Sequence, residues 1–177
     1  MNRPLIMEGA NLYCGIDPTA SNHLVLQEIR LPSLERNYVD HAPGGAPVAV
    51  EVDTHITRLE VTFTLAGWQP QVLGLIGSGD QTFTIYGLVR DRKSGRALDA
   101  MAIIQGRLGR ATPTPFNRGT IQSHEYSIRG IMYYTLTLDY LPVFSWDFYN
   151  ASGGVFTSQA LEPFGMITRG FGGVFNF

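Results

Sequence analysis

Hydrophobic and polar residues alternate along several segments with a period of two, which is typical of β-strands with one side buried. From Arg58 to Leu65 every second residue is apolar, and one glutamate and two threonines stand between them. A second alternation, from Glu125 to Leu138, is longer than a usual strand, and Gly130 within it predicts a bulge or bend. The apolar residues that share a face there are Tyr126, Ile128, Met132, Tyr134, Leu136 and Leu138.

A β-hairpin is predicted between these two segments. Thr82–Arg90 and Ala97–Leu108 have the composition of strands, and the polar residues 91–96 between them form a turn. Leu24–Leu31 is predicted as a further strand that Pro32 closes. All of these segments favour a sheet whose two faces differ in polarity.

Composition agrees with a mostly β protein. The 20 glycines, 10 prolines and 11% aromatic residues favour strands and turns over helices. One short helix is predicted at Gln69–Ile76, with Pro70 near its first turn and Gly77 at its end. A chain of 177 residues, 44% of them hydrophobic, is long enough to bury a core as one domain.

Two loops and an unusual tail are predicted around this body. Residues 37–53 contain a Pro-Gly-Gly-Ala-Pro run too flexible for a core, although alternating valines at 48, 50 and 52 predict a short strand or hairpin arm. Residues 109–120 form the second predicted loop. The tail is rich in glycine and phenylalanine, so the body or another subunit should cover it. We therefore divide the chain into a β domain, 1–149, and a C-terminal extension, 150–177.

No pattern in the chain supports catalysis. There is no Gly-x-Ser-x-Gly elbow, and a Gly-Ser-Gly-Asp turn lacks the lysine that completes a phosphate loop. Asp53 and His55 would share a face, but no third metal ligand follows at a recognisable spacing. His124 and Glu125 are interpreted as surface or interface residues. The sequence predicts no enzyme, no metal and no cofactor.

Charge and cysteine content narrow the class further. Thirteen basic and fifteen acidic residues give a net charge of −2, unlike an ordinary nucleic-acid binder. The single cysteine, Cys14, excludes an intrachain disulfide and fits a reducing compartment. We expect neither a signal peptide nor a membrane helix, because no apolar run is long enough.

The order of several segments carries a resemblance to a known family. Met7–Tyr13 opens the chain, and Leu31–Arg36 precedes an acidic loop that ends at Ala46-Pro47-Val48. The next strand runs into Leu65-Ala66-Gly67-Trp68 before the short helix. Ile103–Arg107 then leads through a polar loop to Tyr133–Asp139. This series, over about residues 5 to 140, resembles the major tail tube protein of contractile-tailed phages. The tail departs from that family, whose members end in a more charged segment.

This resemblance implies a fold and an assembly. It implies a β-sandwich or open barrel whose strands join those of neighbouring copies into one β-barrel, closed as a hexameric ring. Rings would stack into a tube through which DNA passes without specific binding. The implied partners are a sheath protein, a baseplate or tube initiator and a tape measure protein, with no membrane. The implied location is the virion tail, assembled in the host cytoplasm.

The resemblance also implies roles for particular residues. A neutral or acidic wall would keep DNA from adhering, so the wet strand faces are candidates for the lumen, unless they meet outer solvent instead. The lumen candidates are Glu60, Thr62, Thr64, Glu125, Ser127 and Arg129. Loop 37–53 is a candidate for contact with the next ring, or else a plain hairpin tip. The inter-ring candidates are Asp40, His41, Pro43, Gly44, Gly45, Pro47, Glu51 and Asp53.

Three alternatives stay open at this point. An outer-membrane-type β-barrel also has alternating strands and often ends in an aromatic residue, as Phe177 does here. A β-sandwich binding or adhesin module would use Trp68, Trp146 or tyrosines as a platform. A type VI secretion tube subunit shares the ring architecture but carries a protein payload.

Overall fold

The protein is mostly β, with ten strands and one helical turn in the part of the chain that the structure describes. In the computed structural model these residues are 4–15, 20–42, 44, 48–150 and 152–155. The strands are β1 Leu5–Cys14, β2 Leu26–Arg30, β3 Arg36–His41, β4 Val50–Ile56, β5 Val61–Ala66, β6 Gln81–Asp91, β7 Ala97–Pro113, β8 Ser123–Leu138, β9 Leu141–Asp147 and β10 Ser152–Val155, and the helix is α1 Pro70–Leu73.

Two long strands, β7 and β8, each belong to both halves of a folded sheet. Residues 97–106 of β7 pair with β6, and residues 100–105 pair with the last part of β8. Residues 107–113 pair with the first part of β8. The result is a six-stranded half, β1-β6-β7-β8-β9-β10, and a four-stranded half, β7-β8-β5-β2. The halves share one core but the sheet does not close, so the architecture is an open barrel, as expected.

Glycines allow the long strands to bend between the halves. A Cβ on Gly106 would lie 3.0 Å from the carbonyl oxygen of Arg129, and the register between β7 and β8 shifts there. Gly130 has φ +59, a left-handed conformation that other residues rarely adopt, so the predicted bulge is confirmed. The extra residues change the phase of β8. Ile131 is therefore buried, and the assignment of Met132 to the core face was wrong.

The core lies between the two halves. Its centre is a stack of Phe63 from β5 and Tyr126 from β8, whose ring centroids are 5.1 Å apart. Leu12 and Phe83 approach from the six-stranded half, and Val72 packs from α1. Burial of each large apolar side chain contributes about 1.5–3 kcal/mol, and both halves contribute side chains to this single cluster.

Most predicted elements are present, with changed limits. β2, β5 and the β6–β7 hairpin are confirmed, whereas the helix is a single turn with Pro70 at its start. The prediction of a loop over 109–120 was wrong in its first part, because β7 continues to Pro113. A proline is tolerated there since the outer edge of this segment has no strand partner among the described residues.

The C-terminal limit of the sheet differs from the expected domain division. β10 follows residue 149 and pairs with β9, so it belongs to the six-stranded half. The remaining phenylalanine-rich residues, 156–177, lie outside the described part of the chain. Among the described helices none is long and apolar enough to cross a membrane.

β3 and β4 form a separate two-stranded hairpin, residues 36–56, which is called the hairpin below. It connects β2 to β5 and prolongs their antiparallel ladder, with Thr57 N donating to Glu35 O at 2.7 Å at the junction. Every residue of both strands is exposed. The segment predicted as a flexible loop is therefore largely a β-arm that packs on nothing in the described chain.

Candidate functional site

The outer surface of the four-stranded half is polar and is called the polar face below. Cross-strand partners point to the same side of a sheet, and Thr62 pairs with Ser127 while Thr64 pairs with Glu125. All six predicted lumen candidates therefore fall on one surface, which β2 and β7 extend. Its side chains are Glu28, Arg30, Glu60, Thr62, Thr64, Arg107, Arg110, Thr112, Glu125, Ser127 and Arg129.

Every charge on the polar face has a partner of opposite sign. Arg129 donates to Glu60 at 3.0 Å, Arg110 to Glu125 at 2.6 Å, and Arg30 to Glu28 at 2.7 Å. Such exposed pairs each stabilise the fold by about 1 kcal/mol or less. Arg107 likewise donates to Asp80 at 2.6 Å. The main effect of these pairs is electrostatic, because each arginine on the surface is offset by one carboxylate. Arg129, an unexpected cation for a lumen wall, is neutralised by its neighbour.

Ser127 departs from the expectation that the lumen candidates meet water. Its side chain is 0% exposed in the single chain, and its hydroxyl has no hydrogen-bond partner in the structure. It lies between Thr62 on β5 and Arg110 on β7, and long side chains flank it. The other five candidates remain at least partly accessible.

The four-stranded half has a free strand edge on each side. Among the described strands, β2 pairs only with β5, and residues 107–113 of β7 pair only with β8. Adjacent strands in this half are antiparallel throughout. β2 and β7 consequently run in opposite directions, and their exposed N–H and C=O groups are available to another chain.

The hairpin has two faces of different chemistry. Val39 pairs with Val52 and His41 with Val50, which places three valines on one side. Asp40 pairs with Glu51 and Tyr38 with Asp53, which places the carboxylates on the other. Arg36 forms an ion pair with Asp53. Both sides are open to solvent, although an apolar side of this kind usually packs against something.

The hairpin is strongly acidic compared with the rest of the chain. Residues 36–56 contain Asp40, Glu51 and Asp53 against Arg36, a net charge of −2. Since the whole chain also carries −2, the remainder has no formal net charge. The structure thus brings Asp40, His41, Glu51 and Asp53 together on one arm and places Gly44 at its tip. The candidates Pro43, Gly45 and Pro47 lie outside the described residues.

His124 and Cys14, two side chains considered for chemistry, are both buried. His124 is 1% exposed, not at the surface as expected; it contacts the carbonyl oxygen of Gly67 through Nδ1 at 3.1 Å and packs under Trp68. Burial raises the pKa of the Cys14 thiol to about 12, so this cysteine is unreactive at neutral pH. No group of three potential metal ligands occurs among the described residues.

Comparison with known proteins gives a family and a fold for this chain. The family described as phage tail tube protein FII matches residues 5–155. A solved structure titled as the sheath/tube terminator of an extracellular contractile injection system, PVC, in the extended state, superposes with a TM-score of 0.55. That likeness covers 77% of this chain and 97% of the other at 9% identity, and concerns the fold alone. No curated protein matches the sequence.

The family match extends from the first described strand to the last and so includes both halves and the hairpin. The polar face, the free strand edges and the hairpin all lie within the matched residues. The chain belongs to the phage tail tube protein FII family, whose members are structural subunits of the tail and not enzymes.

Proposed function

We propose that this protein is the repeating subunit of the inner tube of a contractile tail, where copies form hexameric rings that stack into a conduit for DNA ejection. The two free edges of the four-stranded half carry this proposal. In a ring, neighbouring copies are related by rotation, so β7 of one copy would lie beside β2 of the next. Because β2 and β7 run in opposite directions, that pairing is antiparallel and continues the existing ladder.

Closure of the ring would also remove the free strand edges of the single chain. Free edges expose rows of backbone donors and acceptors that promote uncontrolled association. A closed barrel has no edges, and its water-filled interior suits strands with one polar face. The polar face would then form the lumen, and the six-stranded half would lie outside it, towards the sheath. The assembly would take place in the host cytoplasm, with a tube initiator and a tape measure protein setting its start and length.

The charge of the polar face supports passage of DNA without retention. A wall with unpaired arginines would bind DNA nonspecifically with a dissociation constant of roughly 10⁻⁴ to 10⁻⁶ M, or about 5.5–8 kcal/mol for each ring. The pairing of every arginine with a carboxylate removes that attraction. Charge neutrality therefore lets the duplex slide.

Electron microscopy of the purified protein in negative stain tests the assembly directly. We expect rings or rods of uniform diameter, either spontaneously or after addition of tail baseplates. A protein that stays monomeric at high concentration and never extends from a baseplate would overturn the proposal.

The variant Glu60→Lys tests the lumen. It replaces the partner of Arg129 by a second cation, so tubes should form normally while ejection of DNA slows. Glu8→Lys is the matched control, because Glu8 also has a single arginine partner, Arg90, but lies on the six-stranded half. Equal ejection rates for the two variants would exclude the polar face as the lumen wall.

Deletion of Asp40 to Val48 tests the inter-ring role of the hairpin. The described residues of this segment are all exposed, so the thermal unfolding temperature should stay near that of the full protein. Rings should still form but fail to stack. Tubes of normal length from the deletion variant would assign stacking to other surfaces.

A further inference from the structure

Exposed apolar side chains concentrate at the end of the four-stranded half that lies opposite the hairpin. Leu24, Trp68, Phe116 and Ile121 are 86%, 62%, 80% and 74% exposed. They come from the turn before β2, the residues after β5 and the connection between β7 and β8. Together with Arg118 they are called the apolar end below.

Backbone and side-chain hydrogen bonds hold these segments together. Gly67 N donates to Gln122 O at 2.7 Å, and Trp68 Nε1 donates to Gln122 Oε1 at 3.2 Å. Ala66 N donates to Val25 O at 2.7 Å, which ties the turn before β2 to the same place. The apolar end is therefore one surface held in place by the strands. It is not a set of unrelated loops.

β5 separates the hairpin from the apolar end. The hairpin joins β5 just before Val61, and Gly67 and Trp68 follow its last residue, Ala66. Six extended residues span about 20 Å. Because the hairpin continues the β2–β5 ladder away from Val61, it extends away from the apolar end of its own chain. A hairpin can reach an apolar end only on another copy.

We propose that the apolar end of one copy receives the hairpin of a second copy in the adjacent ring. The inference rests on the proposed tube and adds to it the surface on which the hairpin docks. Val39, Val50 and Val52 pack on the exposed rings and aliphatic side chains there. Two different surfaces of the same chain meet, so each new ring presents the surface that the next ring needs, and the stack stays open to growth.

Charge complementarity supports the same partner. Arg118 forms no ion pair within the described part of the chain. The hairpin carries a net charge of −2, and Asp40 and Glu51 have no basic partner among the described residues. The carboxylates lie on the side of the hairpin opposite the valines, so Arg118 attracts the docked hairpin at a distance and forms no direct ion pair with them. Complementary charge of this kind speeds the formation of a contact.

Disulfide cross-linking between two variants that each carry one added cysteine tests the contact. Val50→Cys and Ile121→Cys are mixed, assembled and oxidised, and the native Cys14 stays silent because it is buried. We expect a covalent dimer from the mixture and none from either variant alone. Tubes that assemble from the mixture without this dimer, or a dimer from Val50→Cys alone, would overturn the inference.

Tube length measured by microscopy gives a second test. The double variant Phe116→Ser, Ile121→Ser removes apolar area that is exposed in the single chain, so folding should not change. We expect the equilibrium constant for adding a ring to fall by about tenfold or more. Tyr140→Ser is the control, because this residue is 84% exposed but lies in the β8–β9 turn. Long tubes from the double variant would refute the docking surface alone, whereas absence of any tubes from the natural protein would refute the proposed function.

Discussion

β5 and the hairpin are parts of one antiparallel ladder, yet they use the same alternation in different ways. On β5 the apolar residues Val61, Phe63 and Leu65 are 0–1% exposed. On the hairpin, Val39, Val50 and Val52 are 47–58% exposed. A period of two thus predicts that a strand has an apolar side, but not whether its own chain covers that side. The covered part of the ladder stabilises the fold, and the uncovered part is available for assembly.

The largest difference between the two kinds of position is expected when one buried and one exposed phenylalanine are each truncated to alanine. Phe63→Ala leaves a cavity beside Tyr126 and should lower the free energy of unfolding by about 3–5 kcal/mol. Phe116→Ala, the same change at an exposed position, should alter it by about 0.5 kcal/mol or less. Chemical denaturation of both variants measures the difference, and similar losses would mean that the core assignment is wrong.

The second-largest effect is expected at alkaline pH, which should lower the unfolding free energy through a buried tyrosine. Burial raises the pKa of Tyr134 to about 12 from an ordinary value of 10. The folded protein thus holds this proton more tightly than the unfolded chain does, so the contribution to stability is complete below pH 10 and is lost as pH rises towards 12. The loss amounts to roughly 2 kcal/mol.

Tyr134→Phe is the variant that isolates this contribution. It should reduce the dependence of the unfolding free energy on pH between 10 and 12, and the buried Cys14 thiol should account for part of what remains. An unchanged pH profile would show that Tyr134 ionises as readily in the folded protein as in the unfolded chain.

A smaller effect on stability is expected at Gly130, where β8 bends. Gly130→Ala places a Cβ at φ +59 and should cost about 1–2 kcal/mol, although no atom lies within 4 Å of that Cβ. Gly9→Ala, also without close neighbours, has no such backbone constraint and should be nearly neutral. Equal thermal stability of the two variants would show that β8 bends without needing a left-handed residue.

The smallest effect on stability is expected on the hairpin itself. Val39→Ser and Val52→Ser should change the unfolding free energy of the single chain by about 0.5 kcal/mol or less, since both side chains are already in water. Val61→Ser, on the covered part, should cost several times more. A large loss from the hairpin variants would indicate that the valines pack within their own chain.

The alternation of apolar and polar residues predicted the strands that have one face in the core and the other in water. β5, β8 and the β6–β7 hairpin alternate clearly, and Gly130 was identified as a bulge because glycine interrupts that alternation. β1 was missed as a strand because Leu5–Gly9 is exposed on both sides and contains a register shift. β9 was missed because its Pro142 is a poor strand signal.

The sequence predicted which residues share the polar face, but it did not predict all of the charged side chains on that face. Alternation placed Glu60, Thr62 and Thr64 on one face, and cross-strand pairing then brought Glu125 and Arg129 to it. Sequence reasoning missed Arg110 and Arg30, because their positions depend on register shifts in β7 and β2. It also missed the apolar end, since Gly67 and Gln122 are 55 positions apart and only the pairing of β5 with β8 brings them together.

The unequal widths of the two halves have a consequence for curvature. Strands are spaced about 4.8 Å apart, so six side by side span about 29 Å and four about 19 Å. A subunit that is broader on one side than on the other is wedge-shaped. An even number of strands on the narrow side permits antiparallel closure with any number of copies. We therefore expect this taper, and not strand polarity, to fix how many subunits complete one turn.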